Sequence, residues 1–168
     1  MRILKTPGAS SEQAGSSLIE VLVSVFILAF GILGVAGMQT GALRNNQGAL
    51  EQSSAVLLAH SILESMRASM VHDDSAESDD RSAMKVADGY STSDEICKAS
   101  DVTSSGAPGE DLKRWIGEIH ASLNDDSACG QIVCETADPN LCTVTVKWNN
   151  SRALGGDAAQ TVTARSRL

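Results

Sequence analysis

The sequence predicts an α+β protein: a long N-terminal helix, with a transmembrane first half, packed on a small C-terminal antiparallel β-sheet. Three observations predict this class. Residues 18–38 read LIEVLVSVFILAFGILGVAGM, an apolar run long enough to cross a bilayer. Residues 142–148, CTVTVKW, alternate between two faces as a half-buried strand does. All four cysteines follow residue 96, which is typical of an exported domain held by two disulfides.

The composition narrows the classes of function. A formal net charge of −8 argues against a nucleic-acid partner, because phosphate backbones bind basic surfaces. The chain contains no G-x-S-x-G, P-loop, H-E-x-x-H or G-x-G-x-x-G motif. We therefore expect no enzyme, no catalytic residues, no cofactor and no resident metal.

The apolar run predicts a single membrane-spanning helix. Arg2 and Lys5 precede it, so the positive-inside rule places the N-terminus in the cytoplasm and the chain after about Arg44 outside. The alternative is a buried helix of a soluble protein. Glu20 is the only charged residue from Leu18 to Leu43. A carboxylate at the centre of a membrane helix costs about 2.5–3.5 kcal/mol, so Glu20 should have a partner.

The helix is expected to continue to about residue 70, because no proline occurs between residues 16 and 70. Beyond Arg44 the apolar residues recur on one side of the helix only, which predicts an amphipathic helix. The predicted buried stripe consists of two series whose members are seven residues apart, and of three further residues on the same face. These are Leu43, Leu50, Leu57; Ala49, Val56, Leu63, Met70; and Ala59, Ile62, Met66.

The remaining elements are short. The acidic stretch HDDSAESDDR, residues 72–81, is expected to be a solvated connection, with a metal site as the alternative. Residues 82–109 are predicted to be loop, and residues 110–123 a helix with Trp115 at the edge of its apolar face. Strands are predicted at 131–135, 142–148 and 160–167, the first two joined as a hairpin through a turn at 137–140.

Four cysteines, Cys97, Cys129, Cys134 and Cys142, allow three disulfide pairings. We favour Cys134–Cys142 across the hairpin and Cys97–Cys129 tying the preceding loop to the sheet. A Cys129–Cys134 bond is also closable, so this alternative stays open. A zinc site of four thiolates is the rival, although only Cys129 and Cys134 have a short zinc-like spacing.

The N-terminal segment resembles the type IV prepilin signature. The residues that carry the resemblance are GSSLIE, 15–20, placed between a short basic leader and about twenty apolar residues. LLAHSILESMRAS at 57–69 and the CTVTVKW strand are similar to the PilV group of minor pilins, the type IV pilus modification proteins. Residues 72–130 contribute nothing to the resemblance.

The resemblance implies cleavage by prepilin peptidase after Gly15 and N-methylation of Ser16, where the family usually has Phe or Met. Glu20 then becomes the fifth mature residue and pairs with the Ser16 amine of a neighbouring subunit. The implied segments are a leader at 1–15, a transmembrane and polymerisation helix at 16–43, its amphipathic continuation at 44–71, and a disulfide-bonded domain at 72–168.

The function that the resemblance implies is that of a minor pilin, which primes pilus assembly and contributes to the pilus tip, in support of adhesion and twitching motility. Its partners would be other minor and major pilins, prepilin peptidase, the inner-membrane assembly platform and a tip adhesin. It would lie in the bacterial inner membrane before assembly and at the pilus surface afterwards. The alternatives are a pseudopilin of type II secretion and an unprocessed, single-pass anchored binding protein.

Overall fold

The first helix, α1, runs over Leu18–Ala68 and confirms the long N-terminal helix within two residues at either end. The structure is a computed structural model, and it describes residues 17–72, 84–153 and 155–168. The chain divides into two units, Met1–Thr40 and Gly41–Leu168, so that α1 contributes to both. In the first unit, every residue of α1 is exposed, and this part of the helix is long and apolar enough to cross a membrane.

The buried face of α1 in the second unit is narrower than the sequence predicted. It consists of Gly48, Ala55, Leu58, Ala59, Ile62, Leu63 and Met66. Leu43, Leu50 and Leu57, the first predicted series, are wrong as core residues, since each is at least 65% exposed. Ala49 and Val56 are exposed as well. The predicted Ala59, Ile62, Leu63 and Met66 are confirmed as buried. Gly48 and Ala55 were not predicted there, and as small residues they allow the helix backbone to approach its neighbours closely.

The second helix, α2, runs over Gly106–Leu123 and begins four residues earlier than predicted. Pro108 does not prevent this, because it lies in the first turn, where backbone N–H groups have no intrahelical partner. The helix ends at Leu123. Its C-cap is Asn124, which has a left-handed backbone (φ 48°) and whose N–H donates to the carbonyl of His120.

The sheet has three antiparallel strands in the order β3 (Cys129–Cys134), β4 (Leu141–Trp148) and β5 (Gln160–Arg167). The predicted hairpin is confirmed as the β3–β4 pair, in which Cys134 lies opposite Cys142. Strand β3 begins two residues before its predicted start. The alternation predicted for β4 is confirmed: Cys142, Val144, Val146 and Trp148 are buried.

Trp115 connects the two helices to the sheet. The Trp115 side chain is 2% exposed, so it takes part in the buried face of α2 at whose edge the sequence placed it. The indole Nε1 donates a hydrogen bond of 2.9 Å to the carbonyl of Leu58 on α1. The ring also lies over Gly130 of β3, where a Cβ would come within 2.3 Å of Cζ3. The predicted packing of helix on sheet is therefore present, and α2 takes part in it.

The segment predicted as loop is largely irregular but is held against the core. Two short strands, β1 (Val71–His72) and β2 (Met84–Lys85), pair with each other, and a 3-10 turn occupies Ala99–Asp101. Tyr90 is fully buried. Its hydroxyl donates to the Asp111 carboxylate and accepts from the Ser69 hydroxyl, with 3.0 Å between the two hydroxyl oxygens.

We expect Gly130→Ala to lower the free energy of unfolding by about 1–3 kcal/mol, because the added methyl overlaps the Trp115 ring. Gly117→Ala is the matched control, since nothing lies within 4 Å of its Cβ position on the exposed side of α2. The control should be neutral or stabilising, by up to about 1 kcal/mol. Urea unfolding in detergent, followed by tryptophan fluorescence, measures both. Equal effects of the two substitutions would contradict this packing.

We expect Tyr90→Phe to destabilise the fold by about 1–3 kcal/mol near neutral pH, because it removes a buried hydrogen bond to a carboxylate. Burial, followed by the hydrogen bond to Asp111, raises the pKa of Tyr90 from 10.0 to about 12. A raised pKa means that this contribution is complete below about pH 10 and declines as the pH rises towards 12. The difference between wild type and Tyr90→Phe in urea unfolding should shrink over that interval. A constant difference would refute the assignment.

Candidate functional site: the N-terminal helix and its anchor

Glu20 lies in the first turn of α1. Its backbone N–H bonds to the carbonyl of Ser17 at 2.8 Å, and its own carbonyl accepts from the Ser24 hydroxyl at 2.7 Å. A carboxylate at this position is favoured by the positive end of the helix dipole. Gly15 and Ser16, the predicted cleavage and methylation residues, lie outside the described residues, as does most of the predicted acidic connection.

The helix after Glu20 carries no charge until Arg44. Its large apolar side chains are exposed, and Phe26 and Phe30 contact each other edge to face at 4.7 Å between ring centroids. Four glycines, Gly31, Gly34, Gly37 and Gly41, have open space where a Cβ would lie. This surface offers neither a titratable group nor a row of polar donors. Its chemistry is limited to packing against lipid or against other apolar surfaces.

The first buried residue of α1 is Gly48, where the helix meets the loop between β4 and β5. A Cβ at Gly48 would lie 2.6 Å from the Cβ of Ala153 in that loop. The loop is closed on itself by hydrogen bonds from the Asn150 N–H to the Asp157 carbonyl and from the Ala153 N–H to the Asn150 carbonyl. Glycine is therefore required at position 48 for the loop to reach the helix.

Arg152 ties this loop to both helices. Its Nη2 lies 3.3 Å from Oε1 of Glu51 on α1 and donates to the carbonyl of Leu123 at 3.0 Å, while Nη1 donates to the carbonyl of Asn124 at 3.0 Å. The last two are carbonyls at the C-terminus of α2, where the helix dipole favours a cation. One guanidinium thus joins three separate segments of the chain.

Asp125 stabilises the start of the same loop between β4 and β5. Its Oδ1 accepts from the N–H and the hydroxyl of Ser127, and its Oδ2 accepts from the N–H of Asn149 at 2.7 Å. Burial raises the pKa of this carboxyl. Its hydrogen bonds to Ser127 and Asn149, together with the charge of Arg152, outweigh the burial and hold the pKa below its usual value. The carboxylate is thereby kept ionised where the β4–β5 loop begins.

The four cysteines form the two bonds favoured from the sequence: Cys97 with Cys129, and Cys134 with Cys142. The alternative Cys129–Cys134 bond and the four-thiolate zinc site are wrong, because each sulfur is already joined to another partner. Atoms of Glu95, Cys97 and Cys129 do lie within 4.8 Å of one another, which is a metal-like spacing. The two sulfurs are bonded to each other, however, and the Glu95 carboxylate lies 3.1 Å from Lys147 Nζ.

The contacts of Gly48, Glu51 and Arg152 that join α1 to the β4–β5 loop were not predicted from the sequence. Glu51 and Arg152 lie 101 residues apart, and neither belongs to a local motif. Gly48 had the only available signal, a glycine inside a helical pattern, which can mark a close backbone approach. The other helix glycines carry the same signal without such a contact, so the signal alone does not identify the position.

Comparison with known protein families finds a match at the N-terminal end of the chain. The family model that describes the prokaryotic N-terminal methylation motif matches residues 10–36, which include Gly15, Ser16, Glu20 and the first part of α1. No curated protein and no solved structure matches the chain significantly. The match supports a type IV pilin-like or pseudopilin protein, and with the α+β fold it suggests a structural, non-enzymatic subunit.

Proposed function

We propose that the chain is a minor type IV pilin, most similar to the PilV group. The methylation motif over residues 10–36 is the observation that carries this proposal. From Val21 to Leu43 the helix is uncharged, and its residues in the first unit are exposed, which is consistent with a helix that leaves the membrane to join a bundle of like helices. In this proposal, residues 44–71 continue the helix and residues 72–168 form the exported domain.

Processing creates the assembly surface. Prepilin peptidase removes the leader, residues 1–15, by cutting after Gly15, and the new amino group on Ser16 is then methylated. The mature chain begins with residues 16–43, the transmembrane and polymerisation helix. The cut exchanges a basic leader for a single positive charge four residues from Glu20, at the start of an otherwise uncharged helix.

Glu20 and the Ser16 amine of a neighbouring subunit neutralise each other in the filament. A charge in a low-dielectric interior interacts strongly with an opposite charge and is costly without one. Since both groups lie at the same end of each helix, pairing between neighbours sets an axial offset between them. Glu20 is therefore proposed as the residue that sets the register of assembly.

The exported domain is proposed to act at or near the pilus tip, in contact with other minor and major pilins and with a tip adhesin. Before assembly, the chain would lie in the bacterial inner membrane with its N-terminus in the cytoplasm, next to the assembly platform. Afterwards it would lie at the cell surface. Its two disulfides suit an extracellular setting, in which they stabilise a domain with few aromatic residues.

A pseudopilin of type II secretion is the second candidate, because the methylation motif fits both classes. The similarity of residues 57–69 to minor pilins favours the pilus. A strain lacking the gene distinguishes the two candidates: loss of twitching with normal exoprotein secretion supports the pilin, and the reverse supports the pseudopilin.

Mass spectrometry of the mature N-terminus tests the processing step. We expect a chain that begins at Ser16 with one added methyl group. A chain that keeps Met1 would identify an unprocessed membrane anchor and overturn the proposal. In a Gly15→Ala variant, the leader should be retained, which ties the cut to this residue.

Glu20→Ala should leave membrane insertion intact, because it removes a costly charge from an apolar helix. It should reduce incorporation into sheared filaments by about tenfold or more, if the charge pair is worth at least about 1.4 kcal/mol. Glu64→Ala is the control, since Glu64 is exposed in the second unit and pairs with Arg67 of its own helix. Unchanged incorporation of Glu20→Ala, measured by immunoblot of filament and membrane fractions, would refute the role of Glu20.

A further inference from the structure

Strand β5 forms one edge of the sheet, and half of its backbone groups point away from the sheet. The Leu168 N–H bonds to the Asn140 carbonyl at 2.9 Å, just beyond the β4–β5 ladder. Because antiparallel pairs alternate, the even-numbered residues of β5 bond to β4. The N–H and C=O groups of Thr161, Thr163, Arg165 and Arg167 therefore point outwards, and no backbone group among the described residues bonds to them.

The opposite edge of the sheet is covered. Residues 91–97 run beside β3, with Ile96 and Gly130 exchanging two backbone bonds of 2.7 and 2.8 Å. Thr92 bonds to Ile132 through its N–H at 2.7 Å and through its hydroxyl. The disulfide from Cys97 to Cys129 holds this cover in place. Within the described chain, only β5 leaves a long edge of the sheet open.

The usual protections of a sheet edge are missing from β5. It contains no proline and no glycine, and it pairs with β4 without a bulge over all eight residues. Its two arginines do not protect the edge either. Arg165 pairs with Glu135, which follows β3, and Arg167 pairs with Asp138 in the turn between β3 and β4. These charges are neutralised across the sheet.

The interior face of β5 is incompletely covered. Val162, Ala164 and Leu168 pack against the core, yet each stays only half-buried. A further strand beside β5 would extend the sheet and cover the exposed part of these side chains. The edge therefore offers both a row of backbone hydrogen bonds and apolar surface to a partner in extended conformation.

We propose that the partner is β5 of a second copy of this chain, paired antiparallel about Ala164. In that register each arginine lies opposite a threonine: Arg165 faces Thr163, and Arg167 faces Thr161 of the other copy. All four outward residues then face outward residues, so their backbone groups can bond. On the interior face, Ala164 meets Ala164 and Val162 meets Ser166. A parallel, in-register pair would instead place arginine against arginine, which is destabilising.

The two three-stranded sheets become one of six strands. The contact is isologous, so it closes after two copies and cannot propagate. It is thus a different association from the parallel packing of N-terminal helices proposed above. It does not depend on cleavage or on Glu20. It would be available to the membrane-bound chain before assembly.

Single-cysteine variants of the full chain in non-ionic detergent test the register. Ala164→Cys should give a disulfide-linked dimer on mild oxidation with copper–phenanthroline, because directly opposed residues in a non-hydrogen-bonded pair lie about 4.5 Å apart at Cα. Thr163→Cys should not give this dimer, because Thr163 of one copy lies diagonally across from Thr163 of the other, at about 7–8 Å. Thr163 is the more exposed of the two residues, so disulfides formed by random collision would be more abundant in Thr163→Cys than in Ala164→Cys. That result would overturn the proposal.

A proline substitution tests the edge independently. Thr163→Pro removes an outward N–H and leaves the bonds to β4 intact. We expect it to raise the dimer dissociation constant at least about tenfold in sedimentation experiments, while Thr163→Ala changes it little. Thermal unfolding should confirm that both variants fold. A dimer that survives Thr163→Pro would assign association to the helix and refute the proposal. If the wild type is monomeric and the Thr163→Pro variant fails to enter filaments, the edge binds a different subunit. That result would also refute pairing with a second copy.

Discussion

The contact of Trp115 with Gly130 and with the Leu58 carbonyl is the interaction on which the rest of the second unit depends. Its ring lies over Gly130 of β3, and its Nε1 donates to the carbonyl of Leu58 in the C-terminal third of α1. One side chain from α2 therefore determines how closely the helix and the sheet approach. The glycine in β3 is a consequence of that approach, since a larger side chain would separate the layers.

Around this core, covalent and charged contacts hold segments that have little regular structure. The Cys97–Cys129 bond keeps residues 91–97 on the sheet, and Arg152 keeps the β4–β5 loop on both helices. A chain of 168 residues with two Trp, two Phe and one Tyr has few large side chains with which to bury its loops. Disulfides and hydrogen-bonded charges stabilise these loops in their place.

Elements that carry a complete local pattern could be predicted from the sequence. The alternation along β4 identified its buried face, and the observed limits of β5 coincide with those predicted. The buried face of α1 was predicted correctly at 59, 62, 63 and 66. It was harder to predict earlier in the helix, because both the leucines at 43, 50 and 57 and the small residues at 48 and 55 recur every seven residues. Only contacts with distant partners select between them. The same holds for Tyr90 and Arg152, whose partners are far away in sequence.

The position of Gly48 as the first buried residue of α1 has a practical consequence for protein production. Every described core residue of the second unit follows it, and that unit begins at Gly41. A recombinant chain started there omits the apolar run and retains the whole hydrophobic core, so it could be purified without detergent. Leu43, Leu50 and Leu57 would remain in water in that product, and they are the positions at which polar replacements would improve its solubility.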